Sequence, residues 1–447
     1  MEDPPQDPGT DDGSRWPSEP EGGADRRSLP WRLRVPPLAM AVVGARLISA
    51  MGAEAGFLLG LWGKAAFVLD GSATDLTIMG LLISAASMVG SALAGIAVDR
   101  FDARRVVLIL EAAFIPSTLS MILVDTMAQL LVVATISWFA GAALETAIVS
   151  LPPQLVAVHQ LTATNSRLES ANWMALIIGP ALAAPLVNRY GVNAVFVFDA
   201  ATSVVAFAIV NRIRLPDRPV RVDENLPTVM APAAPWDAPT GPGGGNLRAA
   251  FDGLGYAWRS RRLRLILYLG SLPPLAFGIF VALEPLYFRD VLHTDLATVG
   301  YVNALYGVGL LIGSLAVEQA GDQASRFWVL AALTAWSGVG GILYVISSSL
   351  VIVAVGAIVW SIPVGALFPL IRTVAQRITP ASHTGRVMGA LGVVVAGAPI
   401  VPVLSAPVLV ARFGIQGAMI GSSALAILGV VVVWPLLRRL DAPVPAE

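Results

Sequence analysis

The chain has 447 residues, of which 56% are hydrophobic and 13% are charged, and its mean hydropathy is +0.72. Soluble domains carry about 25% charged residues, so this composition excludes an ordinary soluble protein and leaves room for about twelve membrane spans of about 20 residues each. The net charge of −1 argues against a nucleic-acid partner, and the absence of cysteine excludes disulfide and thiolate chemistry.

Residues 1–34 are rich in proline, glycine and acidic residues, which predicts a disordered tail. Four arginines close to the start of the first apolar run place this tail in the cytoplasm by the positive-inside rule: Arg26, Arg27, Arg32 and Arg34. A signal peptide is the alternative, and it is disfavoured because its charged region would be far too long and Arg46 interrupts its apolar stretch.

Twelve apolar runs follow, and each is predicted to be a transmembrane helix. They lie near 37–62, 76–97, 105–124, 128–150, 168–188, 192–211, 264–287, 297–317, 327–347, 349–371, 387–410 and 415–437. The predicted fold is therefore an all-α polytopic membrane protein, with an N-terminal six-helix bundle over 35–212, a C-terminal one over 264–438 and a cytoplasmic tail over 439–447.

The connections between the spans differ in charge. Every second connection, starting with the one between the second and third spans, carries most of the arginines. The connections that alternate with these carry few basic residues: Lys64, Arg189, Arg289 and Arg412. The arginine-rich connections are predicted to be cytoplasmic, and both termini with them, in a bacterial inner membrane.

The only long connection, 213–263, joins the two sets of spans. Its middle is rich in proline, glycine and alanine, which indicates a flexible cytoplasmic linker. Its last part has Leu247, Phe251, Leu254 and Trp258 at helical spacing. We expect an amphipathic helix near 247–260 that lies on the inner leaflet.

The two sets of spans have similar charged residues and glycines near their ends, in the same order. Asp75 and Gly80 recur as Asp295 and Gly300 at an offset of 220 (295 − 75), and Arg189-Tyr-Gly191 recurs as Arg412-Phe-Gly414, where the offset is 223 (414 − 191). Chance similarity among apolar helices is the alternative. Duplication predicts two parallel halves with a site between them, which is the architecture of a carrier.

Charged residues inside the spans are candidates for function, because a charge at the bilayer centre costs about 2.5–3.5 kcal/mol. Glu54, deep in the first span, is the first choice for a proton-binding carboxylate, since loss of water favours a neutral carboxyl group. A static salt bridge to Arg46 or to another helix is the alternative. Glu145 and Asp199 are further candidates for proton coupling.

Other side chains in the spans could line a substrate cavity. Arg46, Asn172 and Trp173 offer charge, an amide and a large amphipathic ring, although packing is an equal alternative for Asn172 and Trp173. Glu284 is interpreted as a gate or, more readily, as a solvated rim residue at the outer end of the seventh span. Glu111 in the third span is expected to pair with Arg104 or Arg105.

A charged motif lies in the tight hairpin between the second and third spans. It runs from Gly95 through Asp99 and Arg100 to Arg104 and Arg105. Its charge, spacing and position resemble the signature loop of the major facilitator superfamily of transporters. The resemblance implies a twelve-helix fold in two pseudo-repeats and a gating role for the loop, and Gly95 is expected to allow close approach of a neighbouring helix.

Further motifs resemble the branch of macrolide-efflux proteins and enterobactin exporters among the drug:proton antiporters. Gly179-Pro180, followed by two alanines, is similar to the fifth-helix antiporter motif, and Pro399 is its echo in the second half. A merely structural kink is the alternative. Glu54 and Asp199 stand where that branch has acidic residues in the first and sixth helices.

This resemblance implies a proton-coupled exporter of lipophilic or amphiphilic organic compounds that works by alternating access. A dedicated siderophore or lysolipid carrier is the alternative, and an intramembrane enzyme is disfavoured. Neither a cofactor nor a metal is expected; Gly63-Lys64 lacks the P-loop pattern and the three histidines are scattered. The proton gradient is the predicted energy source, and the predicted partners are a small organic substrate, protons and membrane lipids around a monomer.

Overall fold

The structure is a computed structural model that describes residues 36–151, 155–156, 158–213, 254–320, 326–379 and 384–440. Every regular element in this part of the chain is a helix, so the predicted all-α fold is confirmed. The predicted N-terminal tail, residues 214–253 of the linker and residues 441–447 lie outside the described residues.

Six helices form the first half of the chain. They are α1 Pro37–Ala55, α2 Ala73–Arg100, α3 Ala103–Ser120, α4 Met127–Val149, α5 Val158–Tyr190 and α6 Asn193–Arg212. The first span does not end at the predicted residue 62, because α1 continues through two π-helical segments, Gly56–Trp62 and Lys64–Val68. Capping boxes fix the starts of α2 and α4, where Ser72 and Thr126 bind the backbone of the first turn.

The second half repeats this order. Its first four helices are α7 Arg261–Leu286, α8 Leu296–Ala320, α9 Phe327–Val345 and α10 Leu350–Ile378, and α7 continues through the π-helical segment Tyr287–Val291. Thr384–Gly397 and Ile400–Leu440 follow, and Gly414 interrupts the latter with φ 70° and ψ 172°. We call residues 384–413 α11 and residues 415–440 α12.

The described residues contain eleven helical stretches that are long and apolar enough to cross a membrane. The last of them, Val387–Leu437, has 51 residues, about 77 Å at 1.5 Å per residue, which is more than twice the hydrocarbon thickness of about 30 Å. Because Gly414 breaks it, this stretch supplies two spans, in agreement with the predicted twelve. The protein is a multi-pass membrane protein.

Consecutive spans run in opposite directions, so the connections alternate between two ends of the molecule. We call them the α1–α2 end and the α2–α3 end, after the first connection at each. Within the first half, α1 packs against α5 and α6, α2 against α4, and α3 against α4 and α6. Within the second half, α8 packs against α10, α9 against α10, and α7 and α9 against the joined α11–α12 segment.

Four described residues with positive φ reveal the internal repeat. Asp70 and His293 have φ of 51° and 52°, and Gly191 and Gly414 have φ of 80° and 70°. Both pairs have the same offset in the sequence, 223 (293 − 70 and 414 − 191). The π-helical segments Lys64–Val68 and Tyr287–Val291 share this offset. Asp75 and Asp295, which the sequence comparison aligned at an offset of 220, are therefore not structurally equivalent. The structural offset is larger by three residues.

The two halves meet at the α1–α2 end. Arg289, in the π-helical continuation of α7, donates hydrogen bonds to the carbonyl oxygens of Ala66 and Gly71 and pairs with Asp70 at 2.9 Å. Thr77 of α2 donates to the carbonyl oxygen of Val403 in α11 at 3.3 Å. The helices of both halves belong to one compact unit, so the division into two separate bundles stays a prediction.

The predicted amphipathic helix is described only in part. Residues 254–259 are helical, and residues 247–253 lie outside the described residues. Trp258 is exposed, as an interfacial side chain would be, but Ala257 is buried, and Leu254 and Tyr256 pack on the apolar core of the second half. This helix therefore packs partly on the protein.

Candidate functional site

Arg46 joins three helices in the interior of the first half. Its guanidinium, on α1, forms an ion pair with Glu145 of α4 and donates a hydrogen bond from Nε to Asn172 Oδ1 of α5 at 2.7 Å. The side chains of Arg46 and Glu145 are only 14% and 22% exposed. The structure thus brings together three residues that the sequence assigned separately to the cavity and to proton coupling.

Glu54 lies two turns further along α1 and is half-buried. Within the described residues it makes no hydrogen bond or ion pair, because Arg46 is engaged by Glu145 instead. Arg46 and Glu145 nevertheless act on the Glu54 carboxyl group through their charges. Glu54 is therefore a carboxyl group next to a fixed ion pair and without a fixed counter-ion of its own.

Glu111 and Asp199 lie on the side of α1 that faces α3 and α6, where Glu111 lines the same small cavity as Arg46 and interacts electrostatically with it. Glu111 of α3 is 1% exposed and hydrogen-bonds with Ser49 of α1, whereas Arg104 donates to the backbone of Val210 and Asn211 in α6. The predicted pairing of Glu111 with Arg104 is thus wrong, and no described ion pair joins Glu111 to Arg105. The reason is that Glu111 points into the helix bundle and not toward its end.

Asp199 of α6 is buried between α1 and α3. It hydrogen-bonds with Thr118 of α3, and its Oδ1 atom has no partner among the described residues. Two glycines of α1 make room for it: a Cβ atom at Gly52 would lie 2.8 Å from Asp199 Oδ1, and one at Gly56 would lie 2.8 Å from Oδ2. Small residues four apart allow this close contact between two helices.

Aromatic side chains extend the surface around Glu54. Phe57, one turn beyond it in the first π-helical segment, packs at a tilt against Trp138 of α4, with 5.2 Å between the ring centroids. Trp173 of α5 is half-buried and packs against the same cluster of buried apolar residues as Phe57 and Trp138. An ionisable group thus lies beside a broad apolar surface, which suits an amphiphilic organic molecule.

The second half has its own polar site around Glu284. The hydroxyl group of Tyr344 in α9 donates to Glu284 Oε1, and the Asn303 side chain of α8 also hydrogen-bonds with the carboxyl group. The interpretation of Glu284 as a solvated rim residue is wrong, because α7 continues through Val291 and side chains of α8 and α9 hydrogen-bond with the Glu284 carboxyl group, which stays half-buried.

The charged hairpin at the α2–α3 end is held mainly through α3. Asp102 caps this helix by accepting from the backbone N–H of Arg105 at 2.8 Å, and Arg104 joins its start to the end of α6. Arg100 is exposed, and the Asp99 side chain lies outside the described residues. A Cβ atom at Gly95 would meet nothing within 4 Å, so the expected close helix approach at Gly95 is wrong.

The Gly179-Pro180 motif lies where α5 touches both halves. A Cβ atom at Gly179 would come within 2.3 Å of the Met51 carbonyl oxygen of α1, and one at Gly300 of α8 would lie 3.1 Å from the Pro180 carbonyl oxygen. Pro180 lies inside α5, whereas Pro399 lies in the break within α11. The motif thus permits close contacts of α5 with α1 and α8.

Lys64 was missed by the sequence reasoning, which placed it in a connection. It is buried in the second π-helical segment after α1, where its ammonium group donates to the Met121 carbonyl oxygen at 2.7 Å and to Asn193 Oδ1 at 3.3 Å. The repeat offers the signal that would have found it, because the offset of 223 (287 − 64) aligns Lys64 with Tyr287 inside the seventh span.

Comparison with known proteins identifies the family. The model of the Major Facilitator Superfamily matches residues 42–296 and 272–447, which together span nearly all of the described helices. The chain belongs to the Major Facilitator Superfamily. The charged hairpin, the repeat and the twelve spans agree with this membership, and the family implies a small-molecule substrate.

Relatives of this major facilitator protein include macrolide efflux proteins. Macrolide efflux protein A of Streptococcus pyogenes is 23% identical over 392 residues, which cover 82% of this chain and 91% of the relative. Macrolide efflux protein A of Enterococcus faecalis is 24% identical over 246 residues, covering 53% of this chain and 70% of the relative.

Solved transporters share the fold at low sequence identity. A variant of the nucleoside transporter NupG superposes with a TM-score of 0.68 at 11% identity, covering 89% of this chain and 99% of its own. A bacterial homologue of the human lysosomal transporter Spinster, in an inward-facing and unoccupied conformation, gives 0.61 at 12% identity and covers 92% and 98%. These similarities show the major facilitator fold alone.

The site's chemistry is that of ion pairs, free carboxyl groups and aromatic surfaces. In the described part of this major facilitator protein, no group of three or more histidine, aspartate or glutamate side chains could hold a metal ion. What the arrangement offers is reversible protonation beside a surface for organic ligands.

Proposed function

We propose that this protein is a proton-coupled secondary active exporter of lipophilic or amphiphilic organic compounds. It acts as a carrier and not as an enzyme, in a bacterial inner membrane, with the α2–α3 end and both termini in the cytoplasm. The family supports transport, and the macrolide efflux relatives support export. The proton gradient supplies the energy.

The observation that carries the proposal is the free carboxyl group of Glu54. Glu145 is neutralised by Arg46, so a proton on Glu145 would have to break an ion pair. Glu54 has no such partner among the described residues and is half-buried. It can therefore take up and release a proton without dismantling the interactions that hold α1, α4 and α5 together.

Transport follows from exposing this group alternately to the two sides. In the described arrangement the halves are joined at the α1–α2 end by Arg289 and Thr77, so this end is closed. When the α2–α3 end is open, Glu54 releases its proton to the cytoplasm and substrate binds from the same side. Opening of the α1–α2 end releases the substrate outward, and a proton from outside neutralises Glu54 for the return step.

The structure also favours drug-like compounds over an anionic siderophore. An anionic substrate needs an uncompensated cation in the cavity, but the guanidinium of Arg46 already pairs with Glu145 and donates to Asn172. A dedicated siderophore or lysolipid carrier remains an outcome of the test below.

The test uses everted membrane vesicles with an imposed pH gradient, in which uptake of a fluorescent dye and of a macrolide is followed. We expect gradient-dependent uptake by the unmodified protein, its loss in Glu54→Gln and its retention in Asp125→Asn, a control on an exposed residue of the α3–α4 connection. Uptake that survives in Glu54→Gln would move the proton to another carboxyl group. Absence of uptake of every compound by the unmodified protein would overturn the drug-exporter assignment.

A further inference from the structure

One face of α7 is accessible although most of this helix is buried. Phe277, Val281 and Glu284 follow each other at spacings of four and three residues, and all three are partly or well exposed. They therefore form one stripe along the helix. A stripe that carries a carboxylate faces lipid only at a large cost in free energy, so a water-accessible space inside the protein is the more stable surrounding for it.

Glu284 lacks a positive partner in this stripe. It accepts hydrogen bonds from Tyr344 and Asn303, but no lysine, arginine or histidine among the described residues forms an ion pair with it. Glu145, by contrast, has Arg46. An ionised carboxylate in this half-buried position is compensated only by a cation that arrives from outside the protein.

Two tyrosine rings, Tyr344 and Tyr306, lie near the carboxylate, and an aromatic cluster continues from them along α7. Trp360 of α10 lies between two half-buried rings, with its centroid 4.8 Å from that of Phe277 on α7 and 4.9 Å from that of Tyr306 on α8. Tyr306 is close enough to Glu284 for the two side chains to interact electrostatically. Ring faces attract organic cations, and the attraction grows when water is excluded.

We propose that Glu284, Phe277 and Tyr306 form the binding site for the cationic group of a lipophilic organic cation, with Trp360 positioning the two rings. The proposal deepens the proposed export function by naming the substrate class. None of the side chains that contact Glu284 belongs to the Arg46–Glu145 group. The substrate cation and the coupling proton therefore bind to different carboxyl groups, Glu284 and Glu54.

The test measures equilibrium binding of tetraphenylphosphonium to the purified full chain in lipid nanodiscs, without any proton gradient. We expect saturable binding, with triphenylphosphine oxide as a neutral analogue that binds at least about tenfold more weakly. Glu284→Gln should weaken cation binding by about tenfold or more and leave binding of the neutral analogue unchanged. Asp125→Asn, on an exposed residue of the α3–α4 connection, should leave cation affinity within about twofold of the unmodified protein.

The ring contribution is tested with a matched pair on one helix. Tyr306→Leu should weaken tetraphenylphosphonium binding by about five- to tenfold, whereas Tyr301→Leu, on an exposed part of α8, should not change it. Gel filtration and circular dichroism show whether Glu284→Gln folds. If it does not, the proposal is still tested by comparing the two tyrosine variants and by comparing the cation with its neutral analogue.

The proposal would be overturned by equal affinity for the cation and the neutral analogue, by no binding of the cation to the unmodified protein, or by full affinity in a folded Glu284→Gln. These outcomes are independent of export. Binding that depends on Glu284 in a protein without gradient-driven transport would leave the cation site standing and remove the exporter assignment.

Discussion

Lys64 and Tyr287 occupy equivalent positions in the two halves, and each binds the end of the third helix of its own half. Lys64 donates to the Met121 carbonyl oxygen at 2.7 Å, and Tyr287 donates to the carbonyl oxygens of Tyr344 at 3.4 Å and Ser347 at 2.9 Å. Met121 and Tyr344 are related by the same offset as the two donors (344 − 121 and 287 − 64). The repeat thus preserves an interaction while the donor changes from an ammonium group to a phenol.

This capping interaction predicts the effect of removing either donor. Lys64→Met and Tyr287→Phe should each destabilise the protein by about 1–3 kcal/mol, because a carbonyl group at a buried helix end loses its partner. Thermal unfolding of the purified protein in detergent measures this, with Arg412→Gln, on an exposed residue, as the control. Unchanged unfolding temperatures in both variants would show that these bonds do not stabilise the helix ends.

The ion pair of Arg46 and Glu145 predicts strong coupling between two substitutions. Arg46→Met leaves Glu145 without its cation, and Glu145→Gln leaves Arg46 without its anion, so each should cost about 2–4 kcal/mol, near the lower part of the range for buried pairs because both side chains retain some exposure. The double variant should cost much less than the sum of the two.

A double-mutant cycle on the unfolding free energy measures this coupling. Glu54→Gln, paired with Arg46→Met in a second cycle, is the matched control and should show much weaker coupling because Glu54 forms no ion pair with Arg46. Equal coupling in the two cycles would contradict the described pairing.

The contacts of Arg289 predict a shift in the conformational equilibrium. Arg289→Gln removes the ion pair with Asp70 and weakens the bonds to the backbone of Ala66 and Gly71, so the α1–α2 end should open more often. The chain has no cysteine, so spin labels attached at Asp125→Cys and Ser348→Cys, exposed at this end in opposite halves, report the distance directly.

We expect a longer-distance population in Arg289→Gln and an unchanged distribution in Arg189→Gln. Arg189 is exposed at the same end and serves as the matched control. A distribution for Arg289→Gln that matches the unmodified protein would show that the Arg289 contacts do not hold the end closed.

The sequence predicts the fold well because membrane spans leave a strong local signal. About 20 apolar residues cross the bilayer wherever they occur, and Gly414, at positive φ, marks the boundary between the last two spans as predicted. Lys64 was assigned to a connection because π-helical turns extend the first span beyond its predicted end. No local sequence pattern predicts such turns.

The partners of charged side chains were harder to predict. Sequence proximity favoured Arg104 as the partner of Glu111. In the folded chain, however, Glu111 contacts the hydroxyl group of a serine on α1, and Arg104 donates to the backbone at the end of α6. Likewise, Glu54 and Arg46 lie on one helix, yet Arg46 binds across to α4. Such pairings depend on which helices become neighbours, which the residues of a single span do not encode.

The glycines of α1 give the sharpest prediction about packing. A Cβ atom at Gly52 would lie 2.0 Å from Thr202 Oγ1 and 2.8 Å from Asp199 Cα, so Gly52→Ala must push α6 away from α1. We expect a loss of about 1–3 kcal/mol, as for an overpacked core. Gly44→Ala, on the same helix with nothing within 4 Å of the added carbon, should be neutral or stabilising by up to about 1 kcal/mol. Thermal unfolding of both variants checks this contrast, and similar unfolding temperatures for the two would mean that α1 and α6 are not in this close contact.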